Sequence, residues 1–189
     1  MAEEAVHVHR SPMAEPVSVV FAASGLVALV AMAWISEHYA HGYFIGHYDF
    51  LLKDLYGRLA NLQNLRATGN IYLPFGYQAF TYPPAAVLFF WPILWIPLQH
   101  LWLAWNLLSL AALAAALAGA INSLQALRPA VVIGSACWAA VISALVIQPV
   151  VECLGWGQTA TFLLLAVVLD MLVTRGPAKG VLVGLACAV

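Results

Sequence analysis

Long apolar runs separated by short polar breaks constrain the fold of this chain more than any other feature. The runs at residues 17–35, 101–121 and 130–150 approach the roughly 20 residues that a helix needs to cross a hydrocarbon layer of about 30 Å. A fourth run at 159–174 is predicted to span as well. The chain is only 8% charged, whereas soluble domains carry about 25% charged residues. The sequence therefore predicts an all-α, polytopic transmembrane helix bundle that has the lipid bilayer as a partner.

The two ends of the chain complete the expected domain organisation. Residues 1–16 mix acidic, basic and proline residues and lack the basic start of a secretory signal, so we expect a short disordered tail. Residues 17–189 should form a single transmembrane domain with an outer loop at 37–83. The last apolar run, 180–189, is too short to cross a bilayer, so we expect the chain to stop inside a span.

The topology of the spans stays open on the sequence alone. Lysine and arginine favour cytoplasmic loops, which would place Arg128, Arg175 and Lys179 inside. If the N-terminal tail is inside and every apolar run crosses, those residues fall outside instead. The run at 85–98 contains Pro92, and proline bends or breaks a helix. This run therefore need not cross, and both topologies are kept.

The longest polar interval, residues 49–84, separates the first span from the later ones. Within 49–66 the leucines recur at intervals of three and four residues, which predicts a helix with one apolar stripe and with Asn61 among the polar residues of the opposite side. This helix is too polar to span, so we expect it to lie along the outer membrane face. Tyr82-Pro83-Pro84 predicts a non-helical kink after it, because proline disfavours the α conformation in the preceding residue.

Two aspartates of this interval, Asp49 and Asp54, are the candidate catalytic groups. A positioned carboxylate can remove a proton from a substrate hydroxyl. The residues are five apart, about 140° of rotation on a helix, so both cannot face one substrate within a single helix. Structural roles are the alternative: Asp49 as a helix N-cap, and i,i+4 ion pairs of Asp49 with Lys53 and of Asp54 with Arg58.

A second polar cluster lies between two later apolar runs. Glu152 and Gln158 flank Gly155-Trp156-Gly157 in a loop or broken helix end, and glycines there would let the backbone approach a ligand. Asp170 either faces the bundle interior, as ionisable groups within spans usually do, or lies at the interface beside Arg175.

Other residue patterns narrow the functions that the chain can have. Gly176, Gly180 and Gly184 recur every four residues, which predicts a helix-packing face. The three cysteines lack metal-ligand spacing, so we expect buried free thiols, with neither a metal site nor a cofactor. The net charge of −1 provides no basic surface, which argues against a nucleic-acid partner.

Short motifs follow one another in a characteristic order along the chain. An aspartate comes after the first span, and four groups of motif residues follow it: Gly69-Asn70-Ile71-Tyr72; Phe80-Thr81-Tyr82-Pro83-Pro84; Pro149-Val150 with Gly157-Gln158; and Gly180-Val181-Leu182-Val183-Gly184-Leu185-Ala186. In this order and spacing they resemble the polyprenyl-phosphate-mannose-dependent α-1,2-mannosyltransferases, integral-membrane enzymes of the GT-C fold in glycosyltransferase family 87. The resemblance covers the chain from Val17 onward and corresponds to an N-terminal portion of such an enzyme.

The resemblance implies a fold, a donor, an acceptor and a site. The fold would be a GT-C bundle in the plasma membrane. The donor would be polyprenyl-phosphate-mannose, and the acceptor a mannosylated glycolipid or lipoglycan, glycosylated on a 2-hydroxyl with inversion. One loop aspartate would be the general base, and the distance to the Gly-x-x-Tyr element favours Asp54 over Asp49. We expect the substrate-binding residues to be Arg58, Tyr72, Tyr82, Glu152 and Gln158.

Two other classes of protein fit the same composition. A transporter or flippase would bind a solute at broken helices near the middle of the membrane, but the two halves of this sequence show no matching pair of broken spans. An inactive fragment or scaffold subunit would fold in the membrane without turnover.

Overall fold

Helices form all the regular structure in the part of the chain that the structure describes. The computed structural model describes residues 14–39, 53–72, 80–124, 127–174 and 176–187. Short 3-10 helices occur at Trp91–Trp95 and Gly176–Ala178. The α-helices are α1 (Ala14–Tyr39), α2 (Lys53–Thr68), α3 (Ala86–Phe90), α4 (Leu98–Leu124), α5 (Pro129–Val146), α6 (Gln148–Trp156), α7 (Ala160–Leu172) and α8 (Val181–Cys187). The prediction of an all-α protein is confirmed.

Three helices, α1, α4 and α5, are long and apolar enough to cross a membrane. A fourth span would consist of α6 and α7, between which the chain bends by 115°. The apolar stretch Ala86–Trp95 is shorter than these spans, in agreement with the topology in which that run does not cross. The predicted polytopic bundle is therefore confirmed, with three or four spans among the described residues.

The span predicted at 130–150 ends earlier than expected, and of the two alternatives given for residues 152–158 the structure shows a broken helix end and not a loop. Helix α5 stops at Val146, Ile147 is extended, and α6 begins at once. Pro149 is the reason, because it has no backbone N–H to continue the hydrogen-bond ladder of α5. Its fixed φ suits the first turn of a new helix instead. Glu152 consequently lies within a helix.

Contacts between the helices give their relative directions. A Cβ atom on Gly134 would meet the ring of Phe21, and a Cβ atom on Gly25 would meet Cys137, so α1 and α5 run parallel. Helix α4 runs opposite to α1, because the Asn106 side chain near its start lies 3.3 Å from Ser36 Oγ near the end of α1.

Helix α7 runs in the same direction as α4. Phe162 at the start of α7 packs on Trp105, with ring centroids 5.2 Å apart, and Leu172 at its end lies against Gly119 near the end of α4. The last turn of α1, the first turns of α4 and α7 and the end of α5 therefore meet at one end of the bundle. We call this the α2 end, because α2 packs there on α3, on the 3-10 helix Trp91–Trp95 and on α6.

The α2 helix confirms its predicted leucine stripe, and one residue of its predicted polar face departs from the prediction. Leu55, Leu59 and Leu62 are buried in a core shared with Phe90 and Trp105 of the neighbouring helices. The prediction that Asn61 lies on the outer side was wrong, since it is fully buried. Three elements, α3, the 3-10 helix Trp91–Trp95 and α6, pack on α2, and Asn61 is buried together with the leucine stripe.

The segment before α3 confirms the predicted kink. Residues 80–85 are not helical, and the N–H of Ala86, the first residue of α3, donates to the carbonyl of Pro83. The predicted packing face at Gly176, Gly180 and Gly184 was wrong within the described residues. A Cβ atom at any of the three would meet no neighbouring element within 4 Å. Gly176, at the start of the second 3-10 helix, and Gly180, in the turn before α8, both have positive φ.

The cysteines follow their prediction only in part. Cys137 and Cys153 are buried free thiols, whereas Cys187 is exposed.

Candidate active site

The candidate base Asp54 lies in the first turn of α2. A carboxylate there is stabilised by the positive end of the helix dipole. Its side chain is half-buried. Partial burial raises the pKa of the nearby Tyr56 above its usual 10.0, so that phenol is a neutral hydrogen-bond donor at physiological pH. The other candidate base, Asp49, lies outside the described residues.

Arg58, one turn after Asp54, contacts an aromatic ring. Its guanidinium carbon lies 4.2 Å from the ring centroid of Tyr82, a cation–π geometry, and the residue is only 7% exposed. The contact brings two predicted substrate-binding residues together.

Tyr72 joins this pair through a row of aromatic rings. Its ring lies 6.2 Å from that of Phe80, which lies 6.0 Å from that of Tyr82. The backbone N–H of Tyr72 donates to Asn70 Oδ1. This turn fixes the direction of the chain after the end of α2, and with it the position of Tyr72. The ring of Tyr72 is exposed. Three of the predicted binding residues, one of them solvent-accessible, thus lie side by side at the α2 end.

The other two predicted binding residues flank the break between α6 and α7. Both Glu152 and Gln158 are exposed. Gln148 Nε2 donates to Glu152 Oε1 at 2.9 Å, whereas the backbone N–H of Gln158 bonds to the carbonyl of Cys153. The break is made by Gly157 at φ 70°, a left-handed conformation that glycine adopts without strain. Helix α6 packs on α2, so this break belongs to the same end of the bundle.

Asp170 lies at the opposite end and has a structural role. Its carboxylate is buried and accepts hydrogen bonds from the backbone N–H groups of Gly180 at 2.7 Å and Leu182 at 3.0 Å. These bonds satisfy N–H groups at the start of α8, as an N-cap does. Of the two positions considered for Asp170, the structure has the buried one.

Several buried polar side chains of α4 and α7 were not predicted from the sequence. Trp105 and Ser109 on α4, and Thr161 on α7, are buried. Asn106 is also buried; with its amide turned over, it bonds to the carbonyl of Leu154 and the indole N–H of Trp102. Polar residues within apolar runs are the sequence signal that could have identified them, because such groups are costly in a membrane and usually have a function there. The described residues include no cluster of three or more His, Cys, Asp or Glu placed to hold a metal ion.

Comparison with known proteins identifies the family. The sequence model described as glycosyltransferase family 87 matches residues 80–189, which is more than half of the chain. The match begins at Phe80 and includes Tyr82, Glu152 and Gln158, whereas α2 precedes it. No curated protein and no solved structure matches the chain. The chain belongs to glycosyltransferase family 87, a family of membrane glycosyltransferases.

Proposed function

We propose that the protein transfers mannose from polyprenyl-phosphate-mannose to the 2-hydroxyl of a mannosylated glycolipid or lipoglycan, at the outer face of the plasma membrane. The observation that carries the proposal is the arrangement at the α2 end. There Asp54 lies one turn before Arg58, and Arg58 contacts the Tyr82 ring in a chain of this family. A carboxylate can act as the general base, and a cation can stabilise the charge on a leaving phosphate.

Basic residues lie at both ends of the bundle. Arg128 and Lys179 lie where α4 ends and α7 leads towards α8, whereas Lys53, Arg58 and Arg66 lie on α2, so the preference of basic residues for the cytoplasmic side does not by itself choose between the two ends. We place the α2 end outside because the family resemblance implies transfer at the outer face. If the run at Ala86–Trp95 does not cross and α6 with α7 makes one span, the crossings agree with this orientation. The α2 end then faces the outer surface.

The chemistry assigned to Asp54 is general-base catalysis. The acceptor 2-hydroxyl attacks the anomeric carbon while the carboxylate takes its proton. A new C–O bond forms to the acceptor, and the bond from the anomeric carbon to the phosphate oxygen breaks, leaving polyprenyl phosphate with the electron pair. Attack from the face opposite to the phosphate converts a β-linked donor into an α-linked product. Asp49 is the alternative base.

The neighbouring residues would bind the two substrates. Arg58 would neutralise charge on the phosphate as it leaves. Tyr72 and Tyr82 would pack against a sugar or the isoprenoid chain, and Glu152 and Gln158 would hydrogen-bond to acceptor hydroxyls from the α6–α7 break.

The test measures transfer of radiolabelled mannose from polyprenyl-phosphate-mannose in membranes that carry each variant. Asp54→Asn keeps the shape of the side chain, and asparagine caps helices about as well as aspartate, so folding should be preserved. Loss of the general base should lower turnover about 10²–10⁴-fold. Asp49→Asn is measured in parallel, and Glu15→Gln, an exposed acid-to-amide change on α1, is the matched control.

The outcomes separate the parts of the proposal. Near-normal turnover by both Asp54→Asn and Asp49→Asn would return the loop aspartates to structural roles. Transfer of glucose but not mannose from the corresponding lipid phosphates would contradict the donor sugar.

A further inference from the structure

Helix α6 is separated from both of its neighbours by a break in the chain. Ile147 before it is extended, Gly157 after it is left-handed, and the chain bends by 115° between α6 and α7. Neither α5 nor α7 therefore continues into α6. With nine residues, α6 is also too short to be stable by itself, so contacts with the rest of the bundle must set its position.

Asn106 of α4 makes a directional contact with α6. With its amide turned over, its Nδ2 donates to the Leu154 carbonyl at 3.2 Å and its Oδ1 accepts from Trp102 Nε1 at 2.6 Å. In the opposite orientation two oxygens would face each other at Leu154 and two N–H groups at Trp102, so hydrogen bonding selects the turned amide. The Ser36 hydroxyl of α1 lies 3.3 Å from the same amide and can donate or accept.

The Leu154 carbonyl needs a partner because of the way α6 ends. In a continuous helix it would accept the N–H of Gln158, four residues on, but that N–H donates to the Cys153 carbonyl at 2.9 Å. The Gly157 N–H reaches the Leu154 carbonyl at 3.4 Å, which is longer than a typical N–H···O bond. This pairing is expected of a helix that ends in a left-handed glycine. Asn106 therefore completes the bonding of a carbonyl that the break leaves weakly bonded.

The bonded carbonyl lies between two predicted acceptor-binding residues. Glu152 precedes Leu154 by two residues and Gln158 follows it by four, and both side chains are exposed. The Leu154 side chain packs in a core shared with Leu110, one turn after Asn106 on α4. Apolar packing is non-directional, whereas a hydrogen bond requires a particular distance and angle. The Asn106 amide is therefore a contact that can fix the angle at which the end of α6 presents Glu152 and Gln158.

We infer that Asn106 is a positioning residue, which holds the last turn of α6 so that Glu152 and Gln158 meet the acceptor sugar. The inference rests on the proposed function, in which these two residues bind the acceptor. Asn106 is 1% exposed, so it acts through α6 without touching the substrate. A polar side chain is costly within a membrane span and usually has a function there, which agrees with this role.

Two variants weaken this contact in different ways. Asn106→Leu keeps a side chain of similar size and removes both hydrogen bonds of the amide. Trp102→Phe keeps an aromatic ring in the core and removes the donor that orients the amide, so its effect should have the same direction and be smaller. The matched control is Asn122→Leu, the same change at an exposed asparagine of α4.

The first measurement follows amide hydrogen exchange of the purified protein in lipid nanodiscs by mass spectrometry. The net contribution of one hydrogen bond corresponds to about a three- to tenfold change in an equilibrium, so exchange at 155–158 should accelerate by that factor in Asn106→Leu. Exchange over α5 should stay unchanged, which would show that the bundle is folded. Asn122→Leu should exchange as the unmodified protein does at both places.

The second measurement is steady-state transfer of mannose to a synthetic mannosyl lipid. Asn106→Leu should raise the KM for this acceptor about three- to tenfold and leave the KM for polyprenyl-phosphate-mannose unchanged. The same substitution is then made in a protein that already carries Glu152→Ala and Gln158→Ala. There it should have no further effect on the acceptor KM, because changes that act through one contact are not additive.

The outcomes separate positioning from a general loss of stability. Unchanged exchange at 155–158 in both Asn106→Leu and Trp102→Phe would show that the amide does not hold the break. An unchanged acceptor KM, a raised donor KM, or an equal rise of the acceptor KM in both backgrounds would each overturn the positioning role. If the unmodified protein transfers no mannose, the proposed function fails alone, and the exchange data still decide whether Asn106 holds α6.

Discussion

The close crossing of α1 and α5 predicts that Gly25→Ala destabilises the bundle. A Cβ atom on Gly25 would lie 3.0 Å from the Cβ atom of Cys137 and 3.1 Å from the backbone carbonyl oxygen of Gly134. Carbon atoms in favourable contact are about 3.5–4.0 Å apart. Neither neighbour is the far end of a flexible side chain, so the helices themselves must separate.

The geometry also sets the expected size of the effect. Forcing an extra carbon into a packed core typically costs about 1–3 kcal/mol. Where the helices separate to make room for it, a radial gap of about 0.5–1 Å between them forfeits a quarter to a half of each dispersion contact. Gly134→Ala should cost less, because its closest contacts, at 2.5 and 2.7 Å, are ring atoms of the partly exposed Phe21, which can rotate away. A Cβ atom on Gly155 in α6 would contact nothing within 4 Å, so Gly155→Ala should be neutral or slightly stabilising.

The assay is unfolding of the purified protein in mixed micelles by increasing mole fractions of dodecyl sulfate, followed by circular dichroism. The free energy of unfolding should decrease in the order Gly155→Ala, Gly134→Ala, Gly25→Ala. A value for Gly25→Ala within about 0.5 kcal/mol of the unmodified protein, the usual range for surface changes, would refute the close-packing argument.

Two further predictions concern the ends of the bundle. Asp170→Ala removes the acceptor of two backbone N–H groups at the start of α8. Hydrogen exchange over residues 180–187 should therefore accelerate by about one to two orders of magnitude, the equivalent of about 1–3 kcal/mol. Asp170→Asn keeps one oxygen acceptor and should show a smaller effect, and unchanged exchange in Asp170→Ala would contradict the capping role. The orientation can be tested with a membrane-impermeant maleimide on intact cells, in a Cys187→Ser background. Gln63→Cys, exposed on α2, should react in intact cells, whereas Ser123→Cys at the opposite end should react only after permeabilisation. The reverse pattern would contradict the proposed orientation.

Features that depend on neighbours along the chain were predictable from the sequence. The length of an apolar run decides whether a helix can span, and the spacing of Leu55, Leu59 and Leu62 decides which face of α2 is apolar. The break at Tyr82-Pro83-Pro84 follows from local steric exclusion. Each of these properties is set within a few residues, so each could be predicted without knowledge of the partner helices.

Features that depend on which helix lies opposite were decided only by the tertiary structure. Gly25 and Gly134 lie at a close helix crossing, whereas Gly176, Gly180 and Gly184 do not, despite their regular spacing. Spacing alone does not show where a second helix approaches. Asn61 is polar and was placed outside, yet neighbouring helices cover it. The grouping of Arg58 with Tyr82, which lies far along the chain from it, required the chain to fold back at the α2 end. Spacing within a helix fixes the direction of a side chain about the helix axis. Which residues that side chain contacts depends on long-range packing, which no local pattern specifies.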